Sequence, residues 1–181
     1  MLPNEVISTL ADLDVYYTDD DIRCANKYMN LLRDGDVATD LGTGWGKAAL
    51  ALALSNPAIL VHTYDHGDYP SVRGFGTDGD YEEKIENRFE TYRADNIIFH
   101  NEDARLSELF PTSLLHVDID DTPYEEKYEL YKRWFSVTTK FILVRNYENK
   151  DRADKKITDE LLKDWKKLSP MGIIQPYESP R

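Results

Sequence analysis

Three glycines at alternate positions, Gly42, Gly44 and Gly46, join a short apolar run to an alanine- and leucine-rich segment in DVATDLGTGWGKAALALAL, residues 36–54. Glycine lets a backbone turn sharply and approach a ligand with no side chain in the way, and a helix that follows presents free N–H groups. A dinucleotide fingerprint requires its third glycine at position 47, where this chain has Lys47. The loop therefore suits a ligand that need not place a phosphate at the helix start. About twenty residues further on, the run ILVHTYD ends in Asp65, where a carboxylate can accept both ribose hydroxyls of an adenosine-type cofactor. Asp103, in FHNEDARL, stands either to meet an adenine amino group or to serve as a turn or helix-cap aspartate.

The elements that must position these residues follow from periodicity. Short apolar runs recur as VATDL (37–41), ILVHTYD (59–65), NIIFHN (96–101), LLHVDID (114–120) and FILVRNY (141–147). Between them lie helix-like segments at 46–55, 81–92, 124–135 and 154–168, and a short turn at 106–110. Two further helices, 5–13 and 19–32, precede the first strand, the second opened by the candidate cap Thr18. Strands alternating with helices of this length imply right-handed crossovers and a doubly wound, mostly parallel α/β sheet. The expected organisation is a single domain, with an N-terminal helical segment (1–32) on a sheet domain (33–181). Residues 67–80, rich in Gly, Asp and Pro, read as a mobile loop. The last run, MGIIQPYESP, reads as a final edge strand with Pro176 at its limit.

The 181-residue chain carries 34 acidic and 22 basic side chains, a formal net charge of −12. A phosphate backbone demands a positive footprint, so nucleic acid is disfavoured as a partner and a small-molecule acceptor fits better. The charge also serves solubility. No apolar run approaches the ~20 residues of a membrane span, and the amino terminus has neither a basic start nor an apolar signal segment, so a cytoplasmic protein is expected. The single cysteine, Cys24, excludes an internal disulfide and a cysteine-only zinc site, and reads as a helix-packing residue.

DVATDLGTGWG, the acidic end of VHTYD and NIIFHNEDA resemble motifs one to three of class I S-adenosylmethionine-dependent methyltransferases. LLHVDIDDTPYEEKYELYKRW is similar to the acidic motif and following helix of the macrocin and catechol O-methyltransferase group. The likeness spans roughly residues 33–148 and implies a Rossmann-like fold, here shortened at the C-terminus, with methyl transfer from the cofactor's sulfonium to an oxygen nucleophile. It further implies that Asp40 reaches the cofactor's amino-acid end, that Gly42, Gly44 and Gly46 form the loop beneath it, and that Asp65 holds the ribose. Asp118 and Asp120 fall on the acidic motif after the fourth strand, Asp118 among the cofactor contacts and both among the ligands of a divalent metal in metal-dependent members.

A magnesium ion would take Asp118, Asp120 and the carbonyl oxygen of Asn146. Related enzymes place Asp-Asp or Asp-Asn at the end of the fifth strand, where this chain has Arg145-Asn146. Arg145 brings a positive charge there, suited to a salt bridge with Asp118 or Asp120 or to a clamp on an acidic acceptor. The candidate bases for an un-ionised hydroxyl are His66, preferred because it follows the ribose acid in a loop, and Asp120 or Asp121. His62, His100 and His116 lie within strands. DTPY, residues 121–124, is a partial match to the Asp-Pro-Pro-Tyr box of amino-methyltransferases acting on nucleobases. Tyr128, Tyr131 and Trp134 recur at near-helical spacing and read as helix packing. Two readings of other classes stand beside the enzyme: a cofactor-binding protein without turnover, and an acidic interaction protein that mimics nucleic acid.

Overall fold

Strand β1 (Val37–Leu41) lies at the centre of a sheet between β2 (Leu60–Asp65) and β4 (Thr112–Val117), with β3 (Ile97–Asn101) outside β2 and β5 (Thr138–Val144) outside β4. All four of these pairings are parallel. An antiparallel pair completes the order β3-β2-β1-β4-β5-β7-β6: β7 (Ile173–Pro176) pairs with β5, and β6 (Trp165–Ser169) forms the edge beyond β7. The computed structural model describes residues 1–13, 17–66, 81–119, 122–145, 147, 153–169 and 173–176. The glycine-rich loop expected at 67–80 lies outside them.

The C-terminal hairpin corrects two expectations. Its final run is an inner strand, not an edge, and Trp165–Ser169, expected as the tail of the last helix, is the edge strand. Lysine- and leucine-rich sequence has helical propensity, but the open ladder of β7 offers it backbone partners and tertiary pairing overrides so weak a preference. Pro176 does mark the end of β7, since proline has no N–H to extend the ladder.

Helices α1 (Pro3–Thr9), α2 (Asp19–Met29), α3 (Lys47–Ser55) and α4 (Tyr81–Thr91) bury one side of the sheet, where Val6, Ile22, Leu50 and Ile85 share a core with Val61 and Leu114. On the other side α5 (Tyr124–Val137) and α6 (Ala153–Leu161) pack Leu130, Trp134 and Ile157 against Leu41, Leu115 and Ile142. All nine residues of α3 are buried, as an apolar helix between the sheet and two further helices must be. Thr18 caps α2 as the sequence indicates: its hydroxyl accepts from the Asp21 amide at 3.3 Å while the Asp21 carboxylate accepts from the Thr18 amide at 2.8 Å. Ile22, Ala25, Asn26 and Met29 then form its buried stripe.

The connection from β3 to β4, residues 102–111, contains no helix. It is tied to α5 instead, through Trp134 Nε1 donating to the Ala104 carbonyl at 3.0 Å and Arg133 donating to those of Ser107, at 2.8 Å, and Arg105. Beside it, Tyr64 stacks on His100 with ring centroids 4.2 Å apart, and His100 Nε2 lies 2.8 Å from His62 Nδ1. Burial holds the pKa of both histidines below the ordinary value, with the two imidazoles opposing a charge on His62 and Glu102 favouring one on His100. A histidine with a depressed folded pKa contributes stability that is complete above its unfolded value and is lost as pH falls through the folded one. The parent should therefore lose thermal stability relative to a His62→Gln/His100→Gln variant between about pH 7.5 and 5. Equal shifts of the two unfolding midpoints over that range would remove the histidine pair as the cause.

Candidate functional site

Sheet register brings Thr63, Asp40 and His116 into one row across β2, β1 and β4. The wholly buried Asp40 carboxylate lies with Oδ1 2.7 Å from His116 Nδ1 and accepts from Thr63 Oγ1 on Oδ2, also at 2.7 Å. Thr63 has only one hydroxyl hydrogen and gives it to Asp40, so Thr43 Oγ1, 2.6 Å away, must be the donor to Thr63. Burial works against a charged imidazole at His116. The hydrogen bond and charge of Asp40, with Asp118, outweigh burial and the opposing Arg145, and hold its pKa above the ordinary value. The Asp40 oxygens are thus engaged inside the sheet, beneath the glycine loop.

That loop leaves β1 with the Gly42 and Thr43 amides both donating to the Tyr64 carbonyl, at 3.0 and 3.2 Å. At Gly42, φ is +96° and a Cβ would stand 2.2 Å from the Asp118 carbonyl oxygen, so only glycine lets the ends of β1 and β4 pass this closely. Gly44 differs. Among the described residues no heavy atom beyond its own chain neighbours lies within 4 Å of its Cβ position, its amide donates to Asp65 Oδ2 at 2.8 Å, and its carbonyl accepts from the Tyr81 hydroxyl at 2.8 Å. Gly46 caps α3 in the left-handed region, against the Phe89 ring.

A cleft of about 220 Å³ opens at this end of the sheet, lined by Gly42, Asp65, His66 and Asp103 with Ile119 and Leu130 as apolar wall. The register of β2 on β3 and the short run to Asp103 bring these carboxylates into one cleft. Asp103 is held by Arg105, whose Nε lies 2.9 and 2.8 Å from its two oxygens and whose amide donates to Oδ1 at 2.8 Å. These bonds, led by the guanidinium, hold the Asp103 carboxyl below the usual carboxylate range. Arg105 also pairs with Glu126 at the start of α5, so a charged row of Asp103, Arg105 and Glu126 crosses the cleft wall. Asp103 is thus both the turn residue and a cleft residue, and any adenine contact shares it with Arg105. Neither Arg105 nor Glu126 is singled out by motif, and only their convergence in space identifies them.

Arg145 takes the salt-bridge role. Its guanidinium donates to Asp118 Oδ2, lies 3.9 Å from Asp21, and faces the Tyr17 ring with its carbon 5.8 Å from the centroid. Neither Asp118 nor Arg145 lines the cleft, and His66, which does, is not brought together with Arg145. Asp120, Asp121 and Asn146 lie outside the described residues. Among the described residues no group of three histidine, cysteine or acidic side chains is arranged for a metal ion. The guanidinium already balances Asp118, and a divalent cation there would meet like charge, so the described part of the ligand set does not fit magnesium.

The helix stripe packs, as expected: Trp134 and Tyr131 are buried, and the Tyr131 hydroxyl joins Lys127 on Asp154 to lock α5 to α6. Burial pushes the Cys24 thiol up to about 12, which leaves it a packing residue. No described helix is long and apolar enough to cross a membrane.

No family model matches the sequence, and no curated protein matches it. The fold is similar to that of the S-adenosylmethionine-dependent O-methyltransferase from Thermotoga maritima, at 14% identity and a TM-score of 0.62, over 91% of this chain and 57% of that one. It is also similar to the O-methyltransferase from Streptomyces achromogenes involved in tomaymycin synthesis, solved with S-adenosylmethionine, at 12% identity and a TM-score of 0.60 over 90% of this chain and 76% of that one. A third is an rRNA methylase from Streptococcus thermophilus, at 12% identity and a TM-score of 0.54 over 78% of each chain. At these identities the likeness is one of fold, an α/β Rossmann-like fold of the methyltransferase type.

The two loop glycines should respond differently to alanine. Gly42→Ala drives a Cβ into the Asp118 carbonyl and should lower unfolding free energy by roughly 3 kcal/mol or more, whereas Gly44→Ala meets no close atom among the described residues and should cost about 1–2 kcal/mol for its left-handed backbone. Urea denaturation of both variants checks the order, and equal losses would contradict the close approach of β1 to β4.

Proposed function

We propose that this chain binds S-adenosylmethionine in the cleft beside the glycine loop and transfers its methyl group to an oxygen of a small-molecule acceptor. One observation carries the reading: the Gly44 amide meets the Asp65 carboxylate at the edge of a cleft formed by strand ends in a β3-β2-β1-β4-β5-β7-β6 sheet. The residues present fit the cofactor. A carboxylate accepts about four hydrogen bonds, so Asp65 can take ribose hydroxyls beside the partners it already has. Ile119 and Leu130 offer an apolar wall to a purine, and among the described residues no side chain stands over Gly44, so a ligand can approach its backbone.

When bound, the cofactor supplies a methyl group already activated on a sulfonium. The chain's task is then to hold the acceptor oxygen in line and to receive its proton. His66, on the cleft wall, and Asp120, which follows the lining residue Ile119, are the bases proposed. Arg145, anchored by Asp118, is proposed to stand as the fixed positive charge where metal-dependent relatives hold an ion. The same ion pair favours a second reading, cofactor binding without turnover. A methyl-transfer assay separates the two, and affinity alone does not.

Asp65→Ala should remove charge-assisted hydrogen bonds worth about 1.5–3 kcal/mol and weaken binding of S-adenosylhomocysteine roughly ten- to a hundredfold, measured by calorimetry with folding checked by circular dichroism. Tight NAD binding with no binding of either adenosyl compound would reverse the assignment. In methyl-transfer assays over a panel of hydroxylated small molecules, turnover should persist in chelator, while Arg145→Asp should create or strengthen magnesium binding. Parent activity lost in chelator and restored by magnesium would return Asp118, Asp120 and Asn146 to the ligand role.

A further inference from the structure

We infer that His116 is a positioning residue for cofactor binding, acting through Asp40, Thr63 and Thr43 on the glycine loop. The inference rests on the cofactor reading above and adds to it a residue on β4 that does not line the cleft. The connection is continuous and directional: His116 Nδ1 is 2.7 Å from Asp40 Oδ1, Asp40 Oδ2 accepts from Thr63 at 2.7 Å, and Thr63 accepts from Thr43 at 2.6 Å. Each member is nearly or wholly buried, at 3% exposure for His116, 0% for Asp40 and Thr63, and 3% for Thr43. Water therefore does not substitute for a missing partner.

The chain of bonds ends inside the loop. Thr43 turns its side chain into the sheet, and its carbonyl carbon is bonded to the Gly44 nitrogen whose N–H meets Asp65 at 2.8 Å. Fixing the Thr43 hydroxyl therefore fixes the plane of the Thr43–Gly44 peptide and aims that N–H at the proposed ribose acid. A loop held in its binding conformation before the ligand arrives loses less entropy on binding. A purely structural buried ion pair gives a weak account of the arrangement, because replacing such a pair with apolar residues is often neutral or stabilising. What an apolar replacement would lose here is the hydrogen bond handed on to the loop. Tyr17, just before α2, stands edge-on to His116 with ring centroids 5.5 Å apart.

The test compares S-adenosylhomocysteine affinity by calorimetry in the parent, His116→Leu, His116→Asn, Thr43→Val and the His116→Leu/Thr43→Val double variant. His116→Leu and Thr43→Val should each weaken binding about tenfold, and His116→Asn, whose amide nitrogen falls near the place of Nδ1, should recover most of that loss. The two sites do not touch, so independent effects would multiply, whereas a relay already broken at one end should make the double variant no weaker than either single one. Multiplying losses, or parent affinity in His116→Leu, would overturn the relay while leaving the cofactor reading intact. No binding by the parent would overturn both. Should His116→Leu fail to fold, Thr63→Val against Thr63→Ser gives the same comparison, with loss expected only where the hydroxyl is gone, and equal affinities counting against the relay.

Discussion

A carboxylate with no exposure, Asp40, sits in the middle of the five parallel strands of the sheet, and much of the structure follows from satisfying it. An unpaired buried charge costs several kcal/mol, so β2 and β4 must each bring a partner to the same row. Thr63 and His116 are those partners. A slip of one residue in either pairing would turn the partner to the opposite face and leave Asp40 bare, which makes the polar row a register lock at the point where apolar strands would otherwise slide. The glycine loop starts two residues later, so its position is inherited from that lock.

Above the row the backbone has to open without separating. Gly42 crosses against the Asp118 carbonyl, and the Asp118 amide donates to the Leu41 carbonyl at 2.9 Å, so β1 and β4 stay joined to the brim of the cleft. Their neighbours diverge: β2 delivers Asp65 and His66 to one side, while β5 delivers Arg145 to the Asp118 side chain and the start of α2. Asp65 and His66 on the cleft and the Arg145–Asp118 pair thus stand on opposite sides of the β1–β4 seam. The N-terminal segment shares in this, because Tyr17 stands beside both Arg145 and His116 and Asp21 in α2 lies 3.9 Å from the Arg145 guanidinium.

The chain's net charge of −12 coexists with cations placed beside specific acids: Arg105 on Asp103, Arg145 on Asp118, Lys127 on Asp154. Pairs of this kind contribute geometry more than stability. Two of them bear on the site, one by fixing the wall of the cleft and one by placing a positive charge at the end of β5. Residues 102–111 show the same economy of means, since bonds from Trp134 and Arg133 hold in place a connection that carries no helix.

Local patterns already contained the alternation of strands and helices, the Thr18 cap, the glycine loop and the acid ending β2, because each depends on residues within one turn, one strand or one short spacing. The edge position of β6 was not legible, since helix propensity in WKKLS is a local quantity and the partner that overrides it, β7, comes later in the chain. Nor was the fate of the acids. Asp40, Asp103 and Asp118 look alike as strand-end aspartates, yet one is sealed beside His116, one is forked by Arg105 and one is bound by Arg145. What a carboxylate does is set by which cation or donor the fold brings within about 3 Å of it, and those partners lie far along the chain, so only the packed sheet decides.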